Sequence, residues 1–400
     1  MNSSILKLAL TLLQILSICQ LSLSSTSSAT TPSIGSQAQE RTSTATKLTS
    51  DLDKAPEITP PTFKLSTKQL ADYKRDGYVI IRGLLSGKEL KNAIRTARKL
   101  NHLSLAQRLY NIMTSSGYRK YLFQTWRKHK SMEHVAFDSP IPSIVAQAMG
   151  YANFDKDERS SSSKVLPSIR LIKEVYFAYE DKGEGCGWHV DDKYVWPCED
   201  SPLNTPDAGV NVWITLSPIK ASEGGGLAIA PTTHSIPWRE DARKVITTIL
   251  KDRGAPGTCE METLSPEFHN KFESLKKTFD MEPGDAIIHD RYIFHRTDKF
   301  KRERKLGFMK RSKLRISLRY MPAKATVYVF DWGASDQGFA EKGMKTGDAV
   351  EKGGEYFPQV WPTSLKKERE VKVKEEEIRA TWARLISFVK AKTNKKRIPA

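Results

Sequence analysis

Gly187-Trp188-His189-Val190-Asp191-Asp192 is the stretch from which the rest of the chain is read. In extended backbone, successive side chains point to opposite faces, so His189 and Asp191 share one face and bring an imidazole nitrogen and a carboxylate oxygen toward one point. Fe(II) accepts that mixture, and a second histidine completes a facial three-ligand set with positions left open for exogenous molecules. Alone, His-x-Asp also describes a surface ion pair, so the third ligand has to be sought elsewhere.

Downstream, Pro283-Gly284-Asp285-Ala286-Ile287-Ile288-His289-Asp290-Arg291-Tyr292-Ile293-Phe294-His295 reads as turn, strand, turn, strand. It offers two histidines. His295 closes the apolar run Tyr292–Phe294, which predicts a strand end at the rim of a cavity. His289 precedes Asp290-Arg291 at a predicted turn, where packing or solvation serves it equally well. His295 is the preferred ligand and His289 the alternative. Further on, Lys313, Arg315, Ser317 and Arg319 share one face of a predicted strand, and Leu314, Ile316, Leu318 and Tyr320 the other. A row of cations facing a cavity is costly unless an anion pairs with it. Arginine recognises a carboxylate through a planar two-point fork that lysine lacks.

Working outward, short strand-like runs at 169–179, 210–216, 227–230, 286–289, 292–294 and 314–321 alternate with Gly, Pro and Asp turns. That texture predicts a mainly β fold, an antiparallel sandwich or barrel. Helical patterns flank it: one after the Ser66 and Thr67 cap signals, one from Ser86 toward Leu100, and one between Pro140 and Gly150. Residues 236–277 read as a helical or irregular insertion.

From about Asp76 to Pro322 the chain resembles the phytanoyl-CoA dioxygenase family. The resemblance is carried by Asp76-Gly77-Tyr78-Val79-Ile80-Ile81-Arg82-Gly83-Leu84-Leu85, by Trp188-His189-Val190-Asp191-Asp192 and by Val212-Trp213-Ile214-Thr215-Leu216. Glu223-Gly224-Gly225-Gly226-Leu227 with Pro231 and His234, then Pro283-Gly284-Asp285 with His295, and finally Arg319-Tyr320 complete it. It implies a double-stranded β-helix (a cupin-like jelly roll) using Fe(II), 2-oxoglutarate and O2, with His189, Asp191 and His295 on the metal. It also implies an arginine before the Arg-Tyr strand end for the far carboxylate of 2-oxoglutarate. Arg315 fits by fork geometry, and Lys313 is the reserve. Ser317 lies beside them, and Trp213 would either wall the cosubstrate or fill the core. Related halogenases carry a small residue in place of the carboxylate, so Asp191 implies hydroxylation. The rival reading is a jelly roll that binds a ligand in the same pocket without catalysis.

Composition bounds the remainder. With 39% hydrophobic and 28% charged residues the chain has enough apolar content for a sizeable core, and its net charge of +18 attracts anions without naming one. The basic stretches, Lys299–Lys313 and the tail from Lys366, lack interleaved aromatics, so no nucleic-acid partner is expected. A small-molecule substrate is. Residues 1–25 combine Lys7, the apolar run Leu8–Ile18 and small residues after it, the layout of a secretory signal peptide. An uncleaved membrane anchor is the alternative. The predicted location is therefore the secretory pathway, either the endoplasmic reticulum lumen or outside the cell. Residues 26–61 read as a disordered Ser/Thr-rich linker, residues 62–340 as the jelly-roll domain, and 341–400 as a basic extension with an amphipathic helix marked by Ile378, Trp382, Ile386 and Val389. The N-terminal segment or the tail offers a peripheral membrane contact. Cys186 and Cys198 flank the metal motif and are candidates to pair.

Overall fold

The computed structural model describes residues 63–104, 119–151, 167–179, 186–191, 195–196, 207, 209–235, 237–238, 240–241, 261–301, 313–329, 339 and 342–362. The expected signal or anchor, the linker, Asp192, Cys198 and the amphipathic tail helix lie outside these residues.

Helix α1 (Thr67–Asp76) starts at Ser66, whose hydroxyl accepts from the Gln69 N–H at 3.1 Å while the Gln69 side chain accepts from the Ser66 N–H at 2.8 Å. This reciprocal pair satisfies two donors that a helix start otherwise leaves open. Strand β1 (Tyr78–Ile81), α2 (Gly87–Leu100), β2 (Arg119–Phe123), α3 (Lys130–Phe137) and α4 (Ile141–Ala148) follow. Then come β3 (Ile169–Tyr179), β4 (Val195–Trp196), β5 (Val210–Thr215) and β6 (Leu227–Ile229). Helices α5 (Met261–Leu264) and α6 (Pro266–Leu275) precede β7 (Ala286–Asp290), β8 (His295–Thr297), β9 (Lys313–Pro322), β10 (Thr326–Val327) and β11 (Gln359–Trp361).

A seven-stranded antiparallel sheet runs β1-β7-β5-β9-β3-β11, with β2 beside β3. The second layer is β6 with β8, widened by single bridges from His295 to His189 and from Ile229 to Lys277. Two facing antiparallel layers make the expected double-stranded β-helix. Apolar side chains of both layers meet between them, where Trp213 and Ile287 pack with Leu227, Ile229 and Ile293. The outer face of the large sheet, with Ile316, Leu318 and Tyr320, is covered by α2, α3 and α4. Tyr176 and Tyr320 donate from that face to the carbonyls of Ala97 and Ala136 at 2.9 and 3.0 Å, latching strands to helices. Helix α6 covers the outside of the second layer, where Phe272 stacks on Phe294 at 4.1 Å.

Strand parity sets which side chains look inward. Register places Lys173, Arg319, Asn211, His289 and Tyr78 in one row across β3, β9, β5, β7 and β1. Phe123, Val175, Ser317, Trp213 and Ile287 form the next row, and Tyr121, Phe177, Arg315 and Thr215 the one after.

Two expectations need correction. Tyr292–Phe294 is a turn, and the strand begins at His295 instead of ending there. The Asp290 carboxylate accepts from the Tyr292 N–H at 2.7 Å and so stabilises the turn, while Ile293 and Phe294 supply apolar bulk to two different clusters. His289 sits within β7, almost fully buried, not at a turn. In addition, β11 pairs with β3, so the sheet draws on residues beyond 340.

Glu174 is fully buried on the outer side of β3 and accepts from the Thr125 hydroxyl at 2.7 Å and from the N–H groups of Thr125 and Trp126. Burial pushes its carboxyl up to about 7, and those donors offset only part of the effect. A raised acid favours the protonated folded state, so its contribution is complete below the unfolded value near 4.5 and is lost as pH rises through about 7. Urea denaturation at pH 5 and pH 8 should show Glu174→Gln gaining on the wild type at the higher pH, by on the order of 3 kcal/mol. Parallel pH profiles would contradict this.

Candidate metal centre

The segment 186–191 is held to β8 by one narrow antiparallel bridge and by the Thr297 N–H, which donates to the Cys186 carbonyl at 3.1 Å. The His189 N–H donates to the His295 carbonyl and the His295 N–H to the His189 carbonyl, each at 3.0 Å. Directly paired residues of this kind stand side by side, and the two imidazoles lie 4.3 Å apart by ring centroid. Asp191, two residues on, turns to the same side. His189, Asp191 and His295 each bring one ligand-capable atom into a group whose members lie within 4.8 Å of one another. The segment is a single bridge where the sequence suggests a strand, yet the two-residue parity still aims both side chains together.

Tautomers follow from the outer hydrogen bonds. Nδ1 of His189 donates to the Gly187 carbonyl at 2.7 Å, and Nδ1 of His295 to the Ile293 carbonyl at 3.0 Å. A carbonyl only accepts, so in each neutral ring the proton sits on Nδ1 and the Nε2 lone pair faces inward. These Nε2 atoms stand 3.7 and 3.5 Å from the two Asp191 oxygens. Burial, reinforced by His295, holds the His189 imidazole at about 3, so this ring stays uncharged. Burial alone would raise the Asp191 carboxyl, but Arg319 and the two histidines outweigh it and hold the group well below the usual carboxylate range. Two imidazole nitrogens and one carboxylate thus converge, an arrangement that a divalent cation would satisfy.

Each Asp191 oxygen has its own partner from the large sheet. Oδ1 accepts from Arg319 Nη2 at 2.7 Å and Oδ2 from Asn211 Nδ2 at 2.8 Å. Sequence reading placed Arg319 on the inward face without seeing this role, and it missed Asn211. Strand parity was the signal available for both. His289 lies next to His295, 4.8 Å by ring centroid, but its Nδ1 donates to the Asp290 carbonyl, and the converging ligand set does not include it.

Arg315 is almost fully buried and donates to the Gly225 carbonyl, with Phe177, Tyr179 and Trp213 around its guanidinium at 5.2, 5.2 and 5.6 Å. Gly225 has φ +79°, and a Cβ there would meet the Phe300 ring at 2.3 Å, so the approach of this carbonyl to Arg315 depends on glycine. Lys313 instead donates to the Pro218 carbonyl at 2.6 Å and lies 3.8 Å from Glu223, at the outer end of the strand. Ser317, buried, lies between Arg315 and Arg319 on the inward face and pairs with Trp213. Trp213 is both core and wall: it packs between the layers, and its buried Nε1 has no protein partner among the described residues. Asn211 Oδ1 is in the same condition. The buried indole N–H calls for an external acceptor, which an oxygen-rich cosubstrate would supply, whereas the Asn211 oxygen calls for a donor such as water.

Cys186, three residues before His189, is disulfide-bonded. Its partner lies outside the described residues, as does the expected partner Cys198. No helix among the described residues is long and apolar enough to cross a membrane.

The sequence model of the family described as Phytanoyl-CoA dioxygenase (PhyH) matches residues 73–301, more than half of the chain. Among solved structures, the non-haem α-ketoglutarate-dependent carbocyclase SnoK from nogalamycin biosynthesis is 18% identical, with a TM-score of 0.50 over 74% of this chain and 96% of that one. The epimerase SnoN of the same pathway is 17% identical, with a TM-score of 0.47 over 73% and 97%. HygX from Streptomyces hygroscopicus, with nickel and 2-oxoglutarate bound, is 15% identical, with a TM-score of 0.42 over 72% and 97%. A comparison with functionally curated proteins returns no match. The likeness to SnoK supports the fold.

Cobalt(II) titration followed by visible absorption tests the ligand choice. His295→Ala is expected to weaken binding by more than the roughly 10–100-fold typical of an outer-shell partner, and His289→Ala by no more than that range. The reverse order would move the metal to His289.

Proposed function

This chain belongs to the phytanoyl-CoA dioxygenase family, and on that premise we propose that it hydroxylates a small organic substrate at a metal held by His189, Asp191 and His295. It is a non-haem Fe(II)- and 2-oxoglutarate-dependent dioxygenase. The observation that carries the site assignment is the convergence of two inward Nε2 atoms and one carboxylate in a buried cleft.

Iron bound there would supply the redox chemistry, in which O2 and 2-oxoglutarate become succinate and CO2 as a substrate C–H bond becomes C–OH. The remaining work falls to the protein. Nδ1 donation by His189 and His295 keeps both rings in the ligating tautomer. Arg315, clamped by Gly225 and enclosed by aromatic faces, binds the far carboxylate of 2-oxoglutarate, and Trp213 and Ser317 line the same cleft. Tyr121 and Phe123, at the inward-facing edge of β2, are exposed large apolar side chains. They offer a rim on which an apolar part of the substrate can lie. The retained carboxylate of Asp191 favours hydroxylation, and the intact ligand set argues against a binding protein without catalysis. The reading extends to passage through the secretory pathway. Its support is the apolar run Leu8–Ile18 and the disulfide at Cys186, which suits an oxidising lumen.

Anaerobic addition of 2-oxoglutarate to the Fe(II)-loaded protein should produce a visible charge-transfer band that Asp191→Ala lacks. A folded, iron-loaded wild type with neither a band nor succinate release would defeat the reading. For the anchor, Arg315→Met should raise KM for 2-oxoglutarate by roughly 30-fold or more, the equivalent of about 2 kcal/mol for a broken buried charge pair. Lys313→Met should change it little, and a larger effect at Lys313 would exchange their roles.

A further inference from the structure

The outer end of the cleft leads to a second conclusion, which rests on the reading of Arg315 as the anchor for the far carboxylate of 2-oxoglutarate. We propose that Phe300 is a specificity-determining residue: stacked on Tyr179 behind Arg315, it closes the cleft and limits the 2-oxo diacid to the length of 2-oxoglutarate.

Register gives the cleft a scale of depth. Across β3 and β9, Lys173 pairs with Arg319, Val175 with Ser317, Phe177 with Arg315, and Tyr179 with Lys313. Arg319 is the member that meets Asp191, so each step along these rows leads away from the metal ligands. Tyr179 therefore lies one inward-facing position beyond the anchor. It belongs to the large sheet, whereas Phe300 follows β8 of the second layer. Their rings stack with centroids 4.8 Å apart and planes 19° apart. The pair thus bridges the two layers beyond Arg315, whose guanidinium lies 5.2 Å from the Tyr179 ring.

Backbone pairing holds Phe300 in that place. The Gly225 N–H donates to the Asp298 carbonyl at 2.8 Å, the Asp298 N–H to the Gly226 carbonyl at 2.8 Å, and the Lys301 N–H to the Glu223 carbonyl at 2.9 Å. Residues 298–301 therefore lie directly against 223–226. Glycine permits this approach: Gly224 has φ +78°, and a Cβ on it would collide with the Lys299 carbonyl. A Cβ on Gly225 would collide with the Phe300 ring itself, and the Gly225 carbonyl accepts from Arg315. The ring thus rests on the same residue that orients the anchor.

A diacid with its 2-oxo acid end at the metal has its far carboxylate at a reach set by its methylenes. The metal ligands fix one end of the cleft, and the Tyr179–Phe300 stack closes the other. 2-Oxoadipate, one methylene longer than 2-oxoglutarate, has to buckle or displace the ring. A closed apolar pocket discriminates by roughly 10–200-fold for a single methylene.

Calorimetry on the full chain loaded with Zn(II), which is redox-silent, reads the Kd of each diacid. The wild type is expected to bind 2-oxoadipate roughly 30-fold more weakly than 2-oxoglutarate. Phe300→Ala should lower that ratio about tenfold, with 2-oxoadipate itself binding more tightly than to the wild type. Phe300→Leu, which retains apolar bulk, should lie closer to the wild type. The inference is overturned if the wild type binds both diacids equally. It is also overturned if folded Phe300→Ala keeps the wild-type ratio, including the case where both affinities weaken in proportion, because the ring would then only support Arg315. If the Zn(II)-loaded wild type binds neither diacid, or Arg315→Met binds 2-oxoglutarate as well as the wild type does, the anchor reading fails and the inference falls with it, a result distinct from the others.

Discussion

The two hydrogen bonds between His189 and His295 are the constraint on which the site depends. They join a short segment, 186–191, to the three-residue strand β8, and neither piece is long enough to fix its own direction. Pairing in the narrow antiparallel manner brings the two imidazoles side by side, and the parity of extended backbone then delivers Asp191 to the same place. The jelly roll serves this bridge. Its second layer is anchored by β6 and by the aromatic cluster under α6, while its large sheet supplies the wall that the bridge faces.

That wall explains the electrostatics. One row of the large sheet brings Arg319 and Asn211 to the two oxygens of Asp191, and another carries Arg315 within its aromatic enclosure. Concentrating cations on the inner face of a sandwich would weaken the fold if they had nothing to face. Here Arg319 meets the carboxylate of the opposite layer, and Arg315 is the one we propose for the cosubstrate's carboxylate, which would tie the cost to function. Burial keeps the His189 ring neutral while Arg319 keeps Asp191 ionised, and the same surroundings therefore prepare two chemically different candidate ligands.

Much of this was legible in the sequence because strand parity is robust. His189 and Asp191 at i and i+2 point together even though their segment is a single bridge, and the inward row Lys313, Arg315, Ser317 and Arg319 could be read from alternation alone. Alternation does not say how far along a strand the cleft extends. Lys313 and Arg315 therefore read alike from alternation, although Lys313 bonds to the Pro218 carbonyl at the outer end and Arg315 is buried. The turn at Tyr292–Phe294 escaped detection because a turn whose side chains fill two apolar clusters has the composition of a strand. The Arg319–Asp191 pair escaped because it joins residues of opposite layers, and no local pattern reports which cation crosses the cleft.

Anomalous diffraction at the iron edge, from crystals loaded with Fe(II) and 2-oxoglutarate without oxygen, tests the central claim most directly. The account predicts one strong peak within bonding distance of His189 Nε2, His295 Nε2 and an Asp191 oxygen. A peak that takes His289 in place of His295, or no peak in this cleft, would contradict it.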